Sequence, residues 1–288
     1  PSITALNSGG FVVSWSGNGS DDNAGIYAQR YDANGNPQGN EFRINTTTTS
    51  GQHSPSIATL TNGGFVVSWS GNGSDDSAGI YAQRYDANGL AQGSEFRVNT
   101  YTTNDQSSSS VTALNNGGFV VSWMSANQDS AYYNIYAQRY DANGVAQGSE
   151  FRVNTHTTTP HIDPSITTLS NGSFVVSWMS NGQDGNGWEV YAQRYDANGV
   201  AQGSEFRVNT YILSHQLSPS ITALNNGGFV VSWASQNQDG DNYGIYAQRY
   251  DANGSPQGSE FQINTYTTLS QTNPSIAALA DGGFVISW

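Results

Sequence analysis

The chain has no cysteine and no lysine, and it is poor in charge. Nine arginines face 22 acids, charged residues make up 11% of 288, and the net charge is -13. The lack of cysteine excludes a disulfide framework and thiolate chemistry. An acidic surface with few cations repels phosphate backbones and anionic lipid heads, so nucleic acid and membrane surfaces are poor partners. No apolar run approaches the roughly 20 residues needed to cross a bilayer as a helix, so membrane insertion is not expected. The sequence opens and closes inside a repeat and carries no leader pattern, which reads as a piece of a longer protein.

A single motif fills the chain. PSITAL at Pro1 returns as PSIATL at Pro55, SSVTAL at Ser109, PSITTL at Pro164, PSITAL at Pro219 and PSIAAL at Pro274. The units are 1–54, 55–108, 109–163, 164–218 and 219–273, with a partial copy at 274–288. They are read together as one repeat domain over 1–288. Each unit holds four short runs with strand alternation. In the first, Ser2 to Leu6 is followed by Phe11 to Trp15, Ile26 to Tyr31 and Glu41 to Asn45. Asp32-Ala33-Asn34-Gly35 makes a tight reversal, in which Asp32 accepts main-chain hydrogen bonds and Gly35 tolerates positive φ. No stretch keeps a 3.6-residue period, which rules out helix.

One unit offers too few large apolar side chains, each contributing ~1.5–3 kcal/mol when buried, to offset ~1–2 kcal/mol of ordering per residue. Copies must therefore stack. Both faces of the second and third runs carry apolar groups, Val12 opposite Phe11 and Tyr27 opposite Ile26. This predicts an all-β fold, a β-propeller of four-stranded antiparallel blades, with a β-solenoid or filament of stacked sheets as the alternative. Six blades, the last incomplete, are preferred over five.

The consensus GGFVVSW…GIYAQRYDANG…QGSEFRVNT, clearest at Gly117 to Thr155 and Gly227 to Thr265, resembles repeats of large bacterial hemolysin-type calcium-binding or cadherin-bearing surface and exported proteins. The resemblance implies an extracellular or cell-surface location, a modular array and adhesion, and it supplies no catalytic residues.

The loop between the second and third runs is where the units vary in length, and it holds an acid in every copy. Asp129, Tyr132, Tyr133, Asp184, Trp188, Asp239, Asp241 and Tyr243 join acids to aromatics, the pairing that grips a sugar by stacking and hydroxyl hydrogen bonds. The competing reading is a solvated hairpin whose aspartates bond their own backbone. Asp21, Asp22, Asp75 and Asp76 are the metal candidates. Gly17-Asn18-Gly19-Ser20-Asp21 matches part of a calcium nonapeptide, although Ser16 replaces its first glycine and tandem stacking is missing. No cofactor is expected, with calcium the one candidate. The periodic arginines are read as structural partners of the equally periodic glutamates or of the turn aspartates, and the repeated tryptophans, Trp15 to Trp288, as core. His53, His156, His161 and His215 share no register.

The sequence therefore reads as a non-enzymatic, extracellular structural or adhesive module that binds other copies of itself. A multivalent lectin-like propeller is the alternative, with glycans as partners. A polysaccharide-active enzyme would show itself as one unit departing from the rest by clustered polar residues. Only Trp188-Glu189 and the histidine-bearing connection before the fourth unit hint at that.

Overall fold

A computed structural model of the protein describes residues 1–288 except 20, 21, 23, 49, 74 and 75. All regular elements among the described residues are strands. The first sheet is Ser2–Ala5, Phe11–Gly17, Gly25–Tyr31 and Phe42–Arg43; the second is Gln52–Thr59, Phe65–Gly71, Gly79–Tyr85 and Phe96–Arg97. The third is Gln106–Ala113, Phe119–Ala126, Tyr133–Tyr140 and Phe151–Arg152; the fourth is His161–Thr168, Phe174–Asn181, Trp188–Tyr195 and Phe206–Arg207. The fifth is Gln216–Ala223, Phe229–Gln236, Tyr243–Tyr250 and Phe261–Gln262, followed by a two-stranded sheet, Ser275–Ala278 and Phe284–Ser287. Strands within each sheet run in chain order, each hydrogen-bonded to the next. These are the blades of a β-propeller, as the repeat predicts.

The chain forms two compact units, Pro1–Asp129 with Tyr136–Phe151 and Ser130–Ile135 with Arg152–Trp288. In the first, Leu6, Val12, Ile26, Ala28 and Ile44 of one sheet bury against Ile57, Phe65, Val67, Trp69, Tyr81 and Tyr85 of the next. In the second, Leu169, Val175, Val190, Ala192 and Val208 meet Ile221, Phe229, Val231, Trp233, Tyr246 and Tyr250 in the same way. Alternation thus places a β-branched face on one side of each sheet and an aromatic face on the other. Trp69, Trp123, Trp178 and Trp233 are at most 1% exposed, whereas Trp288 is 54% exposed and Trp15 half-buried.

Polar bonds tie neighbouring sheets together. The first strand of one sheet offers a serine Oγ to a main-chain N–H of the next: Ile57 to Ser2 (3.3 Å), Val111 to Ser56 (3.1 Å), Ile221 to Ser165 and Ile276 to Ser220 (3.3 Å each). The third-strand arginines Arg30 and Arg84 donate to the turn carbonyls of Asn88 (2.7 Å) and Ala142 (2.6 Å) in the next sheet. Glu95, Glu150, Glu205 and Glu260 reach back to accept the N–H of Thr46, Thr100, Thr155 and Thr210 at 2.6 Å. The arginine and glutamate ladders are structural, as expected, but these bonds go to main-chain groups and not to one another. In the turn, Asp32 Oδ1 accepts the N–H of Asn34 (2.9 Å) and Asn36 (2.8 Å), and Gly35 sits at φ 82°.

Candidate functional site

At one end of each sheet the loop between the second and third strands meets the connection from the fourth strand to the next sheet. Gln52 N–H donates to Ala24 O (2.7 Å), Gln106 N–H to Ala78 O (2.8 Å) and Gln271 N–H to Tyr243 O (2.7 Å). A repeated asparagine just after the fourth strand organises this end. The Oδ1 atoms of Asn45, Asn99, Asn154, Asn209 and Asn264 accept the N–H of Ile26, Ile80, Ile135, Val190 and Ile245 at 2.7 to 2.8 Å. In four of the five sheets the Nδ2 also donates to an oxygen lodged in an adjoining slot.

Three different residues fill that slot. Asp22 and Asp76 take the Nδ2 bond at 2.7 Å, and Asp239 takes it at 3.2 Å. Their sheets have Gly25, Gly79 and Gly244 just before the third-strand isoleucine. A Cβ at those glycines would stand 2.7, 2.7 and 2.4 Å from the carboxylate, so glycine is what admits the loop aspartate. The third sheet has Asn134 at that position, and its own Oδ1 fills the slot at 2.7 Å from Asn154. The fourth sheet has Glu189 there.

The predicted site residues sort accordingly. Asp22 and Asp76 are 4% and 5% exposed and anchor their loops, while Asp21 and Asp75 lie outside the described residues. Among the described residues no group of three or more His, Asp and Glu could hold a metal ion. Asp239 fills a slot, and Asp241 accepts the N–H of Leu269 (3.0 Å) and Asn242 (2.9 Å). Tyr132 is 42% exposed, Asp129 is exposed, and Tyr133 and Tyr243 are half-buried. Asp184 is the one brought to a chemically distinct centre.

That centre belongs to the fourth sheet. Glu189 is 0% exposed and neither carboxyl oxygen has a hydrogen-bond partner of good geometry. Asn209 keeps the Nδ2 bonds to Tyr211 O (2.8 Å) and Gln216 Oε1 (3.1 Å) that Asn99 and Asn264 also make to their counterparts. With Glu189 where the glycine stands in the fifth sheet, Asp184, the counterpart of Asp239, pairs with the fourth-strand Arg207 at 2.6 Å. In the fifth sheet Gln262 replaces that arginine and the aspartate stays in the slot. Burial pushes the Glu189 carboxyl up to about 9; contact with Asp184 adds to this and Arg207 opposes it. Burial also tends to raise Asp184, but its contacts with Glu189, the Asn186 N–H and Arg207 outweigh burial and hold it below the ordinary value. One carboxyl is thus a neutral acid and the other an anion at neutral pH.

Sequence reasoning set Glu189 and His161 aside, and comparing the sheets position by position would have found them. Gln52, Gln106, Gln216 and Gln271 open the first strand of their sheets or the segment equivalent to it, and the fourth sheet has His161 in that place. His161 is 0% exposed, neither ring nitrogen is hydrogen-bonded, and burial drives its pKa down to about 4. Trp188 is half-buried and, one residue before Glu189 in the strand, leaves the opposite face of the sheet, its main-chain N–H donating to His215 Nδ1 (3.1 Å).

No family model matches the chain, and no curated protein matches it in sequence. Solved structures do match in fold. An α-L-arabinanase of Penicillium chrysogenum, complexed with arabinobiose, aligns with TM-score 0.68 and 16% identity over 99% of this chain and 86% of that one. A GH93 α-L-arabinofuranosidase of Fusarium graminearum with arabinobiose gives 0.67 and 11% over 98% and 84%. A protein of unknown function from Dyadobacter fermentans gives 0.67 and 13% over 96% and 86%. These likenesses bear on the fold, and they favour the propeller over the solenoid. They overturn the resemblance to hemolysin-type calcium-binding or cadherin-bearing proteins, because the fold neighbours include an arabinanase and an arabinofuranosidase and no protein of that kind is among those named. The expectation of a non-enzymatic adhesive module is corrected on the same finding. Self-association and calcium binding gain no support. No helix is long and apolar enough to cross a membrane.

Proposed function

We propose that the protein hydrolyses glycosidic bonds in a neutral polysaccharide, with the fourth-sheet loop as its reaction centre. The observation that carries this reading is the Glu189–Asp184 pair, two adjoining carboxyls whose environments drive their proton affinities apart. Glu189 protonates the leaving glycosidic oxygen as its bond to the anomeric carbon breaks. Asp184 takes a proton from the water whose oxygen bonds that carbon. Arg207 holds Asp184 ionised until then.

The described arrangement is closed. The two carboxyls adjoin, whereas cleavage needs them ~5–5.5 Å apart for retention or ~6.5–9.5 Å for inversion. Opening falls to the loop between them, where Gly182, Gly185 and Gly187 hold φ of 64°, 96° and 42°. A neutral substrate fits a chain with no lysine and a net charge of -13, whose Arg30, Arg84 and Arg207 are engaged within the fold. A polymeric substrate places the work outside the cell. Arabinan is the first substrate to test, because the Penicillium and Fusarium fold neighbours are an arabinanase and an arabinofuranosidase.

The test is release of reducing ends from arabinan, arabino-oligosaccharides and a panel of neutral polysaccharides. Glu189→Gln and Asp184→Asn should each lower kcat by ~10²–10⁴, the usual span for losing a general acid or base. No release from any substrate, or full activity in Glu189→Gln, sinks the reading.

A further inference from the structure

The loops between the second and third strands of the third, fourth and fifth sheets share a frame. In each, a glutamine donates its Nε2 to the glutamate that precedes the fourth strand: Gln128 to Glu150 (2.6 Å), Gln183 to Glu205 (2.7 Å) and Gln238 to Glu260 (2.6 Å). The other oxygen of Glu205 accepts the N–H of Thr155 at 2.6 Å, so the frame reaches the connection that leads into the sheet. One bond breaks the likeness. In the fourth sheet Ser180 Oγ donates to Gln183 Oε1 at 2.9 Å. The matching atoms of the third sheet are Ser125 Oγ and Gln128 Oε1, and those of the fifth are Ser235 Oγ and Gln238 Oε1. Among the described residues all four are buried without a hydrogen-bond partner.

This bond lies against the reaction centre. Ser180 is the direct cross-strand partner of Glu189, so the two side chains leave the same face of the sheet. In the fifth sheet the partner of Ser235 is Gly244, which presents no side chain. Gln183 precedes Asp184 in the chain, and its main-chain N–H lies toward the Glu189 carboxyl. Its side chain is anchored twice, to Ser180 of the second strand and through Glu205 to Thr155, while its backbone carries the aspartate. Gly182 and Gly185 flank this stretch at φ 64° and 96°. Glycine is the residue least confined by its own backbone, so the Gln183 side chain carries more of the restraint than it would between bulkier residues. Asp239, the counterpart of Asp184, is held instead by Asn264 at 3.2 Å.

We propose that Gln183, clasped by Ser180, is a positioning residue that seats Asp184 against Glu189. The catalytic consequence rests on the function proposed above. With the loop seated, Asp184 keeps its charge beside Arg207, and that charge makes ionisation of Glu189 less favourable. With the clasp released, the loop carries Asp184 away and burial alone holds the proton on Glu189. Burial is the larger cause, so the clasp adjusts the proton affinity of Glu189 and does not create it. The other charged or titratable groups around Glu189 are Arg207 and Tyr191. Glu205 lies beyond Gln183, and His161 beyond Ser180 in the same cross-strand row.

The experiment titrates the carboxylic acid band of Glu189 by infrared spectroscopy on the full chain, with Glu189→Gln as the blank. Ser180→Ala removes the clasp, and Ser235→Ala removes the fifth-sheet hydroxyl that makes no such bond. The midpoint should fall by about one pH unit in Ser180→Ala, the order of change a nearby charge produces. It should stay at the wild-type value in Ser235→Ala. Ser180→Cys keeps the volume and weakens the bond, so it should give a smaller fall and serves if the alanine variant is unstable. Where glycan hydrolysis is measurable, the alkaline limb of kcat against pH should move down with the midpoint. A wild-type midpoint in the Ser180 variants, or an equal fall in Ser235→Ala, overturns the proposal. Absence of glycan hydrolysis leaves the titration standing, so the two readings fail separately.

Discussion

The amide of Asn209 has siblings in every full sheet, and what their slots receive differs by a single residue. Glycine before the third-strand isoleucine admits a loop aspartate; asparagine or glutamate at that point excludes it. Gly244→Ala should therefore clash with Asp239, whose Oδ2 would lie 2.4 Å from the new Cβ. The expected cost is ~1–3 kcal/mol, because the displaced carboxylate gives up its bonds from Asn264 and Gln262. Gly244→Asn combined with Asp239→Ser, which copies the third sheet's solution, should recover most of it in urea unfolding. Glu189 and His161 predict opposite pH trends. The folded Glu189 binds its proton up to about 9 against an ordinary 4.5, so its contribution to stability declines as pH rises across that window. The folded His161 loses its proton near 4 instead of 6.5, so stability declines as pH falls between those values. Melting temperature plotted against pH should lose its alkaline decline in Glu189→Gln and its acid decline in His161→Gln.

Strands and turns follow from short-range pattern, which is why they were legible in the sequence. Phe65, Val67 and Trp69 alternate with Val66 and Ser68, and both sets are buried because a sheet lies on either side. Trp178→Ala should accordingly cost ~3–5 kcal/mol in chemical denaturation, the usual price of emptying an aromatic core site. The arginine partners were harder to read. Arg30 reaches a carbonyl 58 residues away, and main-chain carbonyls carry no signature in a sequence. Three of the loop acids, Asp22, Asp76 and Asp239, have a structural role that a sequence does not announce, because each accepts from an asparagine 23 to 25 residues further along the chain. The informative signal was the reverse: Glu189, His161 and His156 occupy positions where the other copies have glycine or asparagine, glutamine, and threonine or tyrosine.

Each compact unit is held by burial between successive sheets, with polar bonds fixing their order. A peptide of residues 109–163 should stay unfolded in dilute solution by circular dichroism, because both of its apolar faces would be wet. The serine links along the first strands give that order a direction. In these pairs the earlier sheet supplies the hydroxyl and the later one the amide, like the hook and eye of a fastening. A duplicated copy spliced between two others would arrive with both halves already matched. Gene duplication could then lengthen or shorten such an array by whole modules, leaving one module free to be refitted for chemistry while its siblings keep the frame.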